Sequence, residues 1–270
     1  MHNEFEKEER YKLYRKVEEI LHPTISKKNI SDYKIIIGED LLPIRVFYPK
    51  KVSNIKDVII YVHGDSRVTN CSEKYSEISS ELAKELDKLV VSIDYDENDE
   101  VEAIYKDVES TYKYIYDKLI DNGITKDNIT LVGDSTGGAI VLSFVDLCPI
   151  DRCLLFYPVL SGEYFGKTNY NSIIENNKID HDLVYKLKEY YNGLNDNKKI
   201  FPLLNKKKKY PKTLLLIGNV DPLIDEVKDF SDKNDKVELE IVAFANHGFL
   251  NTNDMEIKKE YYGFIHKFME

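Results

Sequence analysis

The sequence predicts an α/β fold built on a mostly parallel sheet, and three features lead to it. Short apolar or β-branched runs alternate with longer stretches whose apolar residues recur at helical spacing. One run, Val58-Ile-Ile-Tyr-Val-His63, is almost continuously apolar, as a strand covered on both faces requires. The stretch Ile129-Thr-Leu-Val-Gly-Asp-Ser-Thr-Gly-Gly-Ala-Ile-Val-Leu142 reads as strand, sharp turn and helix in immediate succession.

Each element follows from a local pattern. Phe5, Tyr11, Tyr14, Val17, Ile20 and Leu21 predict an amphipathic helix over 4–21 that stops before Pro23. Tyr33 to Ile37 and Ile44 to Tyr48, separated by a turn opening with Gly38, predict an antiparallel hairpin at a sheet edge. After the Val58 strand, Tyr75, Ile78, Leu82 and Leu86 mark a helix, and Leu89 to Asp94 a strand. Val101, Ile104, Tyr105, Val108, Tyr112, Ile115 and Leu119 then mark a long helix ending near Gly123. Beyond the central turn, Cys153 to Tyr157, Thr213 to Ile217 and Val237 to Ala243 read as strands, and Tyr261, Phe264, Ile265 and Phe268 as a closing helix. Residues 161–209 break the alternation: rich in Asn, Lys and Tyr, they hold one helical pattern at Leu183, Leu187 and Tyr190-Tyr191. Inserted where a parallel sheet ends its strands, that segment reads as a cap over a ligand site. The expected organisation is one domain, with a core of about 31–160 and 210–270 and a cap from about 1–30 and 161–209.

Composition narrows the function. At 270 residues the chain can bury a full core. Its net charge of −10 argues against nucleic acid, whose phosphates need a basic footprint. The run Lys206 to Lys209 is too short to reverse that and reads as a solvated loop. Cys71, Cys148 and Cys153 are odd in number and without paired spacing, which predicts free thiols in a reducing compartment. The N-terminus is charged where a secretory signal needs an apolar stretch, and no run is long enough to span a membrane, so a soluble cytoplasmic protein without a membrane partner is expected.

The chemistry centres on Ser135, which Gly133 and Gly137 flank in the pattern G-x-S-x-G. Small neighbours let the chain turn tightly enough to hold a serine with its hydroxyl exposed at the start of a helix. The N–H of Thr136 and the positive helix end then face the place where a negative oxygen would form. A phosphate cradle is the competing reading, but the stretch lacks the Lys-Ser/Thr ending of a P-loop. A serine nucleophile needs a base and an acid to orient it, in the chain order Ser, Asp or Glu, His. Asp221 follows the strand ending at Ile217, and His247 the strand ending at Ala243, each at the rim where parallel sheets place their sites. Asp221 could instead be the N-cap of a helix opening at Pro222, with Asp225 and Glu226 as fallback acids. Further oxyanion donors are expected in the loop His63-Gly64-Asp65-Ser66.

Together, H-G at 63–64, Asp94-Tyr95, G-D-S-T-G-G at 133–138, Tyr157-Pro158, the run Pro211 to Glu226 with its G-x-x-D-P-L-x-D-E, and H-G-F at 247–249 resemble the hormone-sensitive-lipase-like esterase family of α/β-hydrolases. The resemblance covers about residues 30–270. It implies the α/β-hydrolase fold, a mostly parallel central sheet flanked by helices with a helical cap. It also implies Ser135 as nucleophile, His247 as general base, Asp221 as orienting acid, and Gly64, Asp65 and Thr136 as oxyanion donors. The expected reaction is hydrolysis of short-chain carboxylic esters, small molecules, through an acyl-enzyme, with no metal or cofactor. An amidase, formamidase or small-peptide hydrolase on the same residues is the alternative, and a ligand-binding protein with weak chemistry a further one. Two departures stand out. Asp65 and Ser66 replace glycines, putting a carboxylate near a developing negative charge. Asp96 to Glu100 replaces the family's Arg-Leu-Ala-Pro-Glu, leaving the usual arginine pairing open. Tyr164, Tyr170, Tyr185, Tyr190 and Tyr191 in the cap segment suggest an amphipathic pocket.

Overall fold

The computed structural model describes residues 12, 15–17, 19–21, 27–30, 33–36, 41–49, 56–64, 74–96, 99–161 and 209–270. Asp65, Ser66, Cys71 and most of the cap segment, with its tyrosines, lie outside the described residues. Of the N-terminal helix expected over 4–21, the described residues are helical, with Val17, Ile20 and Leu21 buried.

Chain contacts divide the molecule into two units. The first holds strands β1 (Lys27–Ile30), β2 (Tyr33–Ile36), β3 (Ile44–Phe47), β4 (Val58–Val62) and β5 (Leu89–Ile93), helices α1 (Lys74–Glu85) and α2 (Val101–Asp121), and the opening of β6 (Ile129–Asp134). Its strands run in the order β1-β2-β3-β5-β4-β6. The expected hairpin is present, Tyr33 opposite Phe47 and Ile36 opposite Ile44. An unanticipated strand precedes it: Lys27–Ile30, inside the segment whose sequence reads as cap, pairs antiparallel with β2. β4 and β5 are parallel, Val58 beside Leu89, and every residue of both is buried, as the apolar runs demand. α2 covers this unit with Ile104, Val108, Tyr112, Ile115 and Leu119, a stripe of helical period.

Polar contacts fix the ends of these strands. Asp94, just past β5, receives a bidentate Arg45 guanidinium, Nε at 2.9 Å and one terminal nitrogen at 2.6 and 2.8 Å, while the other terminal nitrogen donates to Ser76. Asp94 is thus held by an arginine from β3. Burial pulls the Asp57 carboxyl upward, but Asn128 and Lys88 outweigh it and hold it below the usual carboxylate range.

The second unit holds the rest of β6, α3 (Thr136–Phe144), β7 (Arg152–Phe156) from Cys153 onward, β8 (Lys212–Gly218), α4 (Ile224–Asp232), β9 (Val237–Val242) and α5 (Met255–Met269). Its strands run β6-β7-β8-β9, with β8 and β9 parallel and Thr213 beside Val237. α3 is buried along nearly its whole length, so its hydrophobicity is not confined to one face. Cys148 and Cys153 are free thiols, and burial pushes the Cys153 thiol far above its ordinary range. No described helix is long and apolar enough to cross a membrane.

Candidate active site

Ser135 sits between the last residue of β6 and the first of α3 with φ 51° and ψ −120°. A serine in the left-handed half of backbone space is strained, and the surrounding bonds hold it there. Ser135 N–H donates to Phe156 O at 2.9 Å, and Ser135 O accepts from Gly138 N–H and Val159 N–H, each at 3.1 Å. The residue is 6 % exposed. As the first residue of α3, Thr136 has no acceptor one turn back for its N–H, which leaves that donor at the positive end of the helix.

Asp221 and His247 arrive on neighbouring loops. Asn219 N–H donates to Val242 O at 3.0 Å and Val220 N–H to Ala245 O at 3.3 Å, so the loop after β8 and the loop after β9 are joined through their backbones. Gly218 makes this approach possible: a Cβ there would run into the Ala245 carbonyl. The histidine loop is anchored from behind by aromatic rings, with Phe249 5.0 Å from Tyr157, 5.4 Å from Tyr261 and 6.2 Å from Phe156 between centroids. Tyr157 also lies against the imidazole, its ring 4.7 Å from that of His247. Such pairs contribute about 0.5–1.5 kcal/mol each beyond the area they bury.

The structure brings the three expected side chains together. Ser135 Oγ is 2.9 Å from His247 Nε2, and His247 Nδ1 is 2.9 Å from Asp221 Oδ2. The imidazole and the carboxylate are almost wholly buried, at 1 % and 0 % side-chain exposure. A carboxylate can only accept, so Nδ1 carries the proton and donates, which leaves Nε2 as the acceptor for the serine hydroxyl. Asp221 does more than face the histidine. Its Oδ1 accepts from Leu223 N–H at 2.8 Å, closing the turn that leads into α4, which begins at Ile224 rather than Pro222. The N-cap of α4 is Leu223, so Asp221 is not the cap its sequence position also suggests: one of its oxygens closes the preceding turn and the other meets the imidazole. The fallback acid Glu226 points elsewhere: it accepts from Leu160 N–H at 2.7 Å and from the N–H and hydroxyl of Ser161 at 3.3 and 3.0 Å.

The expected oxyanion donors divide differently. Gly64 N–H already donates to Asp134 Oδ1 at 2.8 Å, so that amide anchors the loop after β4 instead of facing a ligand. Thr136 opens α3, and Asp65 lies outside the described residues. His63, 4 % exposed, has Nδ1 2.7 Å from Gly64 O and stiffens the same turn. Sequence reasoning did not assign a part to Asp134, although its place before the serine is a signal. A Cβ on Gly64 would meet Asp134 Oδ2 at 2.8 Å, Asp134 O at 3.1 Å and Ser135 Cβ at 3.2 Å. Gly64→Ala should therefore displace Asp134 and the serine together, costing about 1–3 kcal/mol of stability by overpacking. Steady-state turnover should fall about tenfold or more, and thermal melts beside rate assays check both effects.

Residues 59–251 match the family described as alpha/beta hydrolase fold. Two mouse proteins are similar over part of the chain. Arylacetamide deacetylase-like 4 family member 1 is 27 % identical over 150 residues, 52 % of this chain and 37 % of its own length. Arylacetamide deacetylase-like 3 is 31 % identical over 140 residues, 48 % of this chain and 34 % of its own. The matched stretch thus spans about a third of each of these relatives. Among solved structures, carboxyl esterase 2 of the mycorrhizal fungus Tuber melanosporum superposes with a TM-score of 0.74 at 18 % identity, over 92 % of this chain and 91 % of its own. With the family match covering most of the chain and the motifs in their expected order, this protein belongs to the α/β-hydrolase fold family, on the esterase/lipase side that its sequence resembles.

Proposed function

We propose that this chain is a serine hydrolase that cleaves short-chain carboxylic esters through an acyl-enzyme. The observation that carries the reading is the buried row of hydroxyl, imidazole and carboxylate, linked at 2.9 Å and 2.9 Å with the tautomer fixed by Asp221. Ser135 Oγ attacks the ester carbonyl carbon as its proton passes to His247 Nε2, and the carbonyl oxygen becomes negative. Thr136 N–H, with the amide at Asp65, binds that oxygen at the helix N-terminus. Collapse breaks the bond to the alkoxy oxygen, which leaves with the proton from Nε2, and the acyl group stays on Ser135. Water repeats the sequence: its proton goes to Nε2, its oxygen to the acyl carbon, and the acid is released as Ser135 recovers a proton. Asp221 stabilises the imidazolium in both halves. The segment that begins after Ser161 serves as the cap that shapes the acyl pocket, a reading supported by its insertion in the sequence between β7 and β8.

The mouse relatives' names speak of arylacetamide, so the amide-cleaving alternative is tested beside the ester. Matched aryl acetate and aryl acetamide substrates should give turnover strongly favouring the acetate. A fluorescent alkyl phosphonate should label the peptide that carries Ser135. An acetamide cleaved as fast as the acetate would shift the reading to an amidase. Absence of both turnover and labelling would leave a binding protein.

A further inference from the structure

Between β7 and the cap segment runs a five-residue strap, Tyr157 to Ser161, every member of which except Pro158 makes a contact that bears on the site. Tyr157, at φ 37°, donates its N–H to Leu216 O at 2.7 Å and lays its ring 4.7 Å from the His247 ring. Its hydroxyl lies 3.5 Å from Asp134 Oδ2, the carboxylate that holds the loop at Gly64. Val159 donates its N–H to the carbonyl of Ser135 at 3.1 Å. Leu160 and Ser161 end the strap on Glu226, which takes three hydrogen bonds from them. Glu226 is wholly buried on α4, five residues beyond Asp221, and the acyl-transfer steps do not use it.

Resting on the hydrolase reading above, we propose that Glu226 is a positioning residue for the Ser135–His247 pair, acting as a latch on this strap. A buried carboxylate is costly to maintain unless it is matched by donors, and these donors are two backbone amides and a hydroxyl that belong to the strap. Latching the far end holds Val159 against the serine carbonyl and Tyr157 against the imidazole. The strap touches the serine, the histidine and, through Glu226, the helix that the acid loop leads into. A nucleophile at strained φ, paired with its base at 2.9 Å, tolerates little drift, and a shift of about 1 Å can cost on the order of 10²-fold in rate. The functional element is the hydrogen-bond acceptance of Glu226, not its bulk: the isosteric amide in Glu226→Gln turns one N–H donor toward another.

The test compares the wild-type chain with Glu226→Gln and Ser161→Ala on a short aryl ester and on a fluorescent alkyl phosphonate. Phosphonate titration counts competent sites, so kcat is expressed per reactive serine. An unfolded fraction lowers that count and leaves the rate constant of the remainder unchanged. A loosened Ser135–His247 pair lowers the rate constant itself. Glu226→Gln should reduce both kcat per site and the second-order phosphonylation rate constant by about 10-fold or more, with KM within about threefold. Ser161→Ala, which removes only the hydroxyl donor, should reduce both by about threefold, and it carries the test if Glu226→Gln does not fold. Rate constants equal to wild type in either folded variant would overturn the latch. A wild type that neither hydrolyses the ester nor takes the phosphonate would instead remove the hydrolase reading itself.

Discussion

Ser135→Ala should lose about 10⁴-fold or more in turnover of a short aryl ester while folding as the wild type does. The expectation rests on what the hydroxyl touches. Its oxygen meets Nε2 of His247 at 2.9 Å, the group placed to take its proton. The substitution leaves Cβ in place, so the contact that a glycine at 64 permits and the bonds from Ser135 N–H and to Ser135 O remain intact. The strained φ of 51° is a property of the backbone and is common to both side chains. Circular dichroism and thermal melting should therefore match the wild type, while ester turnover and phosphonate labelling disappear together. Retained turnover in a preparation free of contaminating hydrolase would show that another group attacks the carbonyl.

The parts of this arrangement differ in how plainly the sequence announces them. Ser135, Asp221 and His247 are legible because each follows a strand the sequence predicts, and the G-x-S-x-G turn with the chain order Ser, Asp, His picks them out at that rim. The parallel core is legible for the same reason: Val58–Val62 and Leu89–Ile93 have no polar face to misread. Lys27–Ile30 is not, because a four-residue edge strand with two lysines is defined by its backbone bonds to β2 and shows no alternation. The role of Gly64 is likewise hidden. Its N–H meets a carboxylate 70 positions away, and only the fold brings Asp134 to it. Glu226 illustrates the limit of spacing arguments, since its distance from Asp221 suits a substitute acid, yet its oxygens are occupied 65 and 66 residues upstream. Positive φ at Tyr157 and Phe244 leaves no mark either, because both are residues that sequence rules exclude from that region.

Asp221→Asn should cost about 10⁴-fold in turnover, by an effect on a proton more than on position. The carboxylate accepts on both sides, from Leu223 N–H at Oδ1 and from His247 Nδ1–H at Oδ2. An amide has a single accepting oxygen. If that oxygen turns to Leu223, the NH₂ group faces the imidazole, which must present a lone pair at Nδ1 and carry its proton on Nε2. Ser135 then meets a donor where it needs an acceptor, and the general base is gone although every heavy atom keeps its place. If the amide turns the other way, the histidine keeps its tautomer but two N–H groups collide at the entrance to α4. Loss of that buried bond costs about 1–3 kcal/mol, so the first orientation prevails. The variant should accordingly melt close to the wild type, bind substrate with little change in KM, and react with the phosphonate as slowly as it turns over ester. Turnover within about tenfold of wild type would mean that a group other than Asp221 sets the histidine tautomer.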